Sequence, residues 1–250
     1  MPVSNQSIAR ASSMLRLLAS CQRQLTVAEL ASQLELSKGT AFGILRTLHA
    51  EGLVEQDRES RRYRLGPGLL VLGAAYRERN ELLARAFRLA DELAARLEHT
   101  VRLGTLYDDR VLVLHHVASA AEAEHRSDVG SLLPLASTAL GRVLLSGCPA
   151  LAGRCLDGAR DRDAGHEPRI AELCEIAARG WTWLTGDLGP RQTSVAAAIR
   201  DQDGEIAGAI AISGPPEHLV DDGAPPRALV DELVGTAATM SRELGFRNGW

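Results

Sequence analysis

The chain contains a single lysine, Lys38; every other Lys/Arg position is an arginine. Aromatic residues make up only 4% of it, so its cores are built from leucine, valine, alanine and isoleucine, in keeping with a hydrophobic fraction of 45%. No apolar run approaches the roughly 20 residues a membrane helix requires. The opening MPVSNQSIAR also lacks the apolar centre of a secretory signal. A cytoplasmic protein with no membrane partner is the expectation. The four cysteines, Cys21, Cys148, Cys155 and Cys174, are scattered, with no C-x-x-C pair and no histidine at ligand spacing, which argues against a metal site and a disulfide framework. Gly204 and Gly208 do not open a helix as a phosphate loop must. His115 and His116 have no nucleophile or metal-ligand pattern beside them, and alternation along a strand sends one outward and one into a core. The chain therefore reads as a non-enzyme that needs no cofactor.

What is present is organised around two regions. The chain of 250 residues is comfortable for two domains. Its net charge of −4 is unevenly spread: residues 1–66 hold nine Lys/Arg against six Asp/Glu, and the remainder nineteen against twenty-six. A weakly basic head on an acidic body suits a DNA-binding module joined to a part that stays off DNA.

The head reads as a helix at Ser7 to Ser20, two short helices, and a hairpin. Thr26 and Glu29 form a capping box, in which the hydroxyl and the carboxylate reciprocally satisfy free backbone N–H groups. Val27, Leu30, Ala31 and Leu34 then recur at helical spacing. Glu35 and Leu36 turn the chain, Ser37 caps the next helix, and Gly52 ends it. Ile44, Leu45 and Leu48 face inward, leaving Lys38, Thr40, Arg46, Thr47 and His49 outward. Leu53 to Gln56 and Arg61 to Leu65 pair as strands around Asp57-Arg58-Glu59-Ser60. This is a winged helix-turn-helix pattern. Leu69 to Arg77 follows as a linker helix whose apolar content exceeds one thin packing face; self-association and interdomain packing both account for it.

In the body, Glu81 to Glu98 is an amphipathic helix. Thr100 to Leu106 and Val111 to Val117 make a hairpin, and residues 118–131 are polar without a period. A short apolar segment at Leu132 to Leu135 leads to a helix at Thr138 to Leu145, and residues 150–169 read as irregular. A helix at Ile170 to Arg179, a strand at Trp181 to Leu184, and a loop at Asp187 to Gln192 follow. Ser194 to Arg200 and Glu205 to Ser213 pair across an Asp-Gly turn, and a helix at Pro226 to Leu244 closes the chain. Hairpins with helices gathered around them predict an α+β fold.

With the blocks LTVAELASQLELSKGTAFGILRTLHAEGLVE, RRYRLGPGLL, LPLASTALGRVLLS and GWTWLTGDLGPRQTSVAAAIRDQDGEIAGAIAISGP in this order, the sequence resembles the IclR-type family of bacterial transcriptional regulators over nearly its full length. The resemblance implies a winged helix-turn-helix DNA-binding domain at 1–66, a linker helix at 67–80, and a GAF-like effector-binding and oligomerisation domain at 81–250. It further implies a double-stranded DNA operator, a small-molecule effector, and a homodimer or dimer of dimers. The second helix of the motif enters the major groove. Thr40 and Thr47 then face the groove, Lys38 and Arg46 contact phosphate, and Arg58, Arg61, Arg62 and Arg64 hold the backbone or enter the minor groove from the wing. Family members often carry a basic residue, often a His-Arg pair, where this chain has Phe42 and Gly43; Phe42 either touches a thymine methyl or packs. For the effector, the resemblance implies backbone amides of Ala139 and Leu140 at a helix start, with Leu184, Ser194, Ala211 and Ser213 opposite. In some acid-sensing relatives the positions of Leu184, Ser194 and Ala211 are acidic, cysteine and serine. The expected effector is an organic acid with an apolar or aromatic body. A small-molecule-binding enzyme or carrier with a helix-turn-helix interaction module, and an orphan regulator without ligand, are the alternatives.

Overall fold

A computed structural model describes residues 5–120, 127–158 and 170–247. The chain divides into two compact units, 1–79 and 80–250.

In the first unit, α1 (Gln6–Ser20), α2 (Val27–Gln33) and α3 (Lys38–Ala50) pack with the hairpin β1 (Val54–Gln56) and β2 (Tyr63–Leu65). Each helix start has a side-chain cap. Asn5 accepts from the Ser7 amide, Thr26 and Glu29 form the full capping box, and Ser37 accepts from the Thr40 amide. Glu35, with φ of 52°, supplies the turn between α2 and α3, and Gly52 at 69° stops α3. Met14, Leu18, Leu25, Leu30, Leu45, Leu48, Val54 and Tyr63 form the core. Burial of each such side chain contributes about 1.5–3 kcal/mol, which a unit of this size needs in full. The second strand starts later than its sequence pattern predicts, at Tyr63. Arg61, with φ of 55°, belongs to the turn, where Asp57 Oδ1 accepts from Ser60 N and Ser60 Oγ, both at 2.7 Å. Next comes α4 (Gly68–Arg79), which buries none of its residues; Leu70, Val71, Leu72 and Tyr76 are exposed.

The second unit is one antiparallel sheet of six strands, ordered β5-β4-β3-β8-β7-β6. These are β3 (Thr100–Tyr107), β4 (Arg110–Val117), β5 (Leu132–Pro134), β6 (Trp181–Thr185), β7 (Thr193–Arg200) and β8 (Ile206–Gly214). The helices are α5 (Glu81–Leu97), α6 (Ala139–Ser146), α7 (Pro149–Gly158), α8 (Ile170–Arg179), α9 (Pro216–Leu219) and α10 (Arg227–Glu243). Side-chain size alternates along the central strands. Val195, Ala197, Ile199, Ile210 and Ile212 join the core made with α5 and α10, whereas Ala196, Ala198, Ala209 and Ala211 join the one made with α6 and α8. The alanine face lets α6 lie close to the sheet. Closest of all is Gly141: a Cβ there would sit 2.2 Å from Leu135 O and 2.5 Å from Leu135 Cα. Arg142, nearly buried, fixes the same helix by donating to Ala136 O at 3.0 Å and to Glu172 of α8 at 2.6 Å.

Two elements depart from the sequence pattern. Residues 149–158 form α7 where an irregular segment is expected; Pro149 at the first helical position pre-sets the backbone and forgoes an N–H that has no partner there anyway. Short α9 likewise starts on a proline, Pro216, with Pro215 as its N-cap. The rest of the segment expected to be irregular (159–169), and part of the polar stretch (121–126), lie outside the described residues.

Candidate functional site

The surface expected to face DNA is set by α3 and the hairpin. Ala41, Leu45 and Leu48 anchor α3 in the core, which turns Lys38, Phe42, Arg46 and Thr47 outward. Thr40 is half-buried, its hydroxyl 2.9 Å from Ser37 Oγ, and Thr47 returns its own hydroxyl to Gly43 O at 3.2 Å. Both threonines therefore present methyl groups more readily than free hydroxyls. His49 is held to Val54 O at 3.1 Å.

The wing arginines fall into two classes. Arg62 donates to Gln24 O at 3.1 Å and to Glu29 Oε2 at 3.3 Å, tying β2 to the capping box of α2. Arg64 pairs with Glu55 across the hairpin at 2.9 Å. Arg58 and Arg61 are exposed and, like Lys38 and Arg46, make no ion pair among the described residues. Glu29 accepts from the Thr26 amide and hydroxyl and from Arg23, and these bonds hold its pKa down at about 2, from an ordinary 4.5.

A second site lies between the start of α6 and the sheet. Arg102, Leu133, Thr138, Leu140, Asp187, Leu188, Ser194, Ala211 and Ser213 surround a cleft with about 200 Å³ of empty space, open solvent included. Thr138 caps α6, accepting from Gly141 N at 3.1 Å and donating to Pro134 O at 2.6 Å. The Ala139 amide donates to Asp187 Oδ2 at 3.1 Å, and Ser194 Oγ donates to Asp187 Oδ1 at 2.8 Å. Arg102 donates to Ser213 Oγ and, at 2.8 Å, to Asp128 Oδ2. Burial raises the pKa of Asp187, against the lowering influence of Ala139, Ser194, the Leu188 amide and Arg102. The anion seat that a helix N-terminus offers is thus filled by the chain's own carboxylate.

Comparison with known proteins assigns both regions. Residues 7–58 match the family described as IclR helix-turn-helix domain, and residues 74–242 match the bacterial transcriptional regulator IclR C-terminal family. The chain belongs to the IclR family. It is 40% identical over 245 residues, 96% of each chain, to the glycerol operon regulatory proteins of Streptomyces griseus and Streptomyces coelicolor. The crystal structure of an IclR transcriptional regulator from Alicyclobacillus acidocaldarius superposes with a TM-score of 0.83 at 27% identity, over 97% of this chain and 100% of that one. The protein is a DNA-binding transcriptional regulator, and among its described residues no helix is long and apolar enough to cross a membrane.

Within this IclR-family chain, Leu140, Ser194, Ala211 and Ser213 line the cleft, and Ala139 contributes its amide. Leu184 is not among the residues that line it: half-buried and paired with Ser194 in the sheet, it packs against the α6 core. A carboxylate nevertheless stands at the cleft: Asp187, three residues beyond Leu184 in the loop after β6, accepts from the Ala139 amide at the start of α6. Arg102 and Thr138 also escaped the sequence reading. Arg102 stands inside the apolar run of β3 and is 9% exposed, and a buried arginine in a strand was the available signal. His115 and His116 are both half-buried. His115 Nε2 lies 2.7 Å from Asp91 Oδ1, and His116 Nδ1 accepts from the Asp128 amide at 3.0 Å.

Proposed function

We propose that this regulator binds a pseudo-palindromic operator as a homodimer or dimer of dimers, in the cytoplasm, and is controlled by a small neutral polyol seated in the cleft beside α6. Lys38, Arg46, Arg58 and Arg61 supply the phosphate contacts, because among the described residues they make no ion pair, whereas Arg62 and Arg64 do. Arg62 and Arg64 shape the wing. The exposed apolar residues of α4 supply the contact between copies.

The observation that carries the effector class is Asp187 on the α6 amide and the Ser194 hydroxyl. An incoming carboxylate meets a like charge in a buried setting, where repulsion is poorly screened. A hydroxyl both donates and accepts. It satisfies Asp187 as donor, and Arg102 or the Leu140 amide as acceptor. The two glycerol operon regulatory proteins at 40% identity support glycerol itself as the first compound to test.

An acid effector is the second reading, favoured by the raised pKa of Asp187. Protonated Asp187 donates to a carboxylate, so acid binding would tighten as pH falls. Polyol binding needs no proton uptake. Titrating the full chain with glycerol and with benzoate from pH 5 to 8, following melting temperature, separates the two. Stabilisation by glycerol at every pH supports the polyol. Stabilisation by benzoate alone, growing toward low pH, replaces it with the acid. An effector changes transcription only through a difference in affinity between two arrangements of the paired heads. Equally tight binding to scrambled DNA would instead favour a carrier or enzyme with an interaction head.

A further inference from the structure

The outward face of α3 has an unusual pattern. Gly39, Gly43 and Thr47 follow one another at intervals of four, so they share one line along the helix. Phe42 and Arg46, also four apart, form the line beside it. Phe42 is 52% exposed, while Ala41, Leu45 and Leu48 of the same helix are buried. About half of the surface of Phe42 is open among the described residues.

The glycines have no reason to be there from the fold. Both have ordinary helical backbone. A Cβ at Gly43 would meet nothing within 4 Å, and one at Gly39 only Ser37 Oγ at 3.9 Å. Each glycine disfavours the helix by about 1 kcal/mol relative to alanine. A bare backbone line is useful only if something must approach it closely, and on the recognition helix that is the floor of the major groove. The exposed ring beside it lacks any hydrogen-bonding atom. The apolar feature of the groove floor is the thymine C5-methyl.

Resting on the DNA-binding reading of this head, we infer that α3 reads a thymine in each operator half-site through Phe42, with Gly39 and Gly43 letting the helix backbone come close enough for the ring to reach the methyl. Arg46, one turn along the same line, contacts the adjacent phosphate. Sequence preference at that step is apolar, in place of the basic contact that relatives often carry.

The test uses the full chain and its own upstream DNA. Footprinting locates the half-sites, and duplexes are then made with each thymine replaced in turn by 2′-deoxyuridine, which lacks only the methyl. One position per half-site is expected to weaken binding by about fourfold, the value of one buried methyl. Phe42→Ala should bind the thymine and uracil duplexes equally, and Phe42→Leu should retain part of the discrimination. Gly43→Ala should melt no lower than wild type yet lose operator affinity. Sequence-specific binding in which every uracil substitution affects wild type and Phe42→Ala alike would overturn the inference while leaving the regulator reading intact. Failure to bind any sequence specifically would overturn both.

Discussion

Replacing Arg58 and Arg61 together by alanine separates phosphate contacts from wing architecture. Lys38, Arg46, Arg58 and Arg61 make no ion pair among the described residues, so two heads present about eight cations to the duplex. Each neutralised phosphate contributes about −0.9 to the slope of log K against log salt, giving about −7 for wild type. Raising salt from about 50 to 200 mM would then cost wild type a factor of about 10⁴ in affinity. The double variant loses half of those contacts. Its slope should fall to about −3.6, and the same salt change should cost only about 10². Arg62→Ala is the control. Its partners are Gln24 O and Glu29, both half-exposed, so the change should remove on the order of 1 kcal/mol of head stability. That corresponds to about 4–8 °C in a unit of this size, with the slope unchanged. Fluorescence anisotropy with a labelled operator at four salt concentrations gives the slopes, and calorimetry gives the melting temperatures. The reasoning fails if Arg62→Ala lowers the slope as much as the double variant, or if the double variant keeps the wild-type slope.

Three further outcomes are expected. Gly141→Ala drives a methyl into the backbone of Leu135, 2.2 Å from its carbonyl oxygen, so it should destabilise the second unit by about 1–3 kcal/mol and abolish any stabilisation by ligand, read by thermal shift. Asp187→Asn removes a buried charge whose pKa is raised: the wild-type fold loses stability as pH rises from about 4, the ordinary carboxylate value, through the raised one, whereas the variant should lack that loss. The same variant should admit benzoate at neutral pH. Glu29 has its pKa lowered to about 2, so its contribution is fully present above 4.5 and lost as pH falls toward 2; the gap in melting temperature between wild type and Glu29→Gln should narrow over that interval.

The winged helix was legible because its signals are local. Thr26 with Glu29, Ser37 and Gly52 each act within one helical turn, and all occupy their expected places. The β7–β8 hairpin was equally plain from its Asp-Gly turn. The cleft was only half legible. Ser194, Ala211 and Ser213 lie on strands paired through the Asp-Gly turn, with a register shift at Ile199/Arg200 between the turn and these residues. Asp187 sits in a loop, and its place over the Ala139 amide depends on how that loop folds across α6. No spacing rule contains that contact; Leu184 was expected at the site from the family resemblance alone. The wing arginines looked equivalent in sequence because the partners of Arg62, Gln24 and Glu29, are more than thirty residues away. The α7 helix was hidden by charged and small residues that carry little periodicity.

Reciprocal coupling tests the central claim most directly. The affinity of the full chain for its upstream DNA is measured with and without saturating glycerol, and the affinity for glycerol with and without saturating DNA. If the cleft controls the paired heads, the two ratios must be equal and different from one, and Asp187→Ala should bring both to one. Glycerol binding that leaves DNA affinity unchanged, with the reciprocal ratio also at one, would contradict the account.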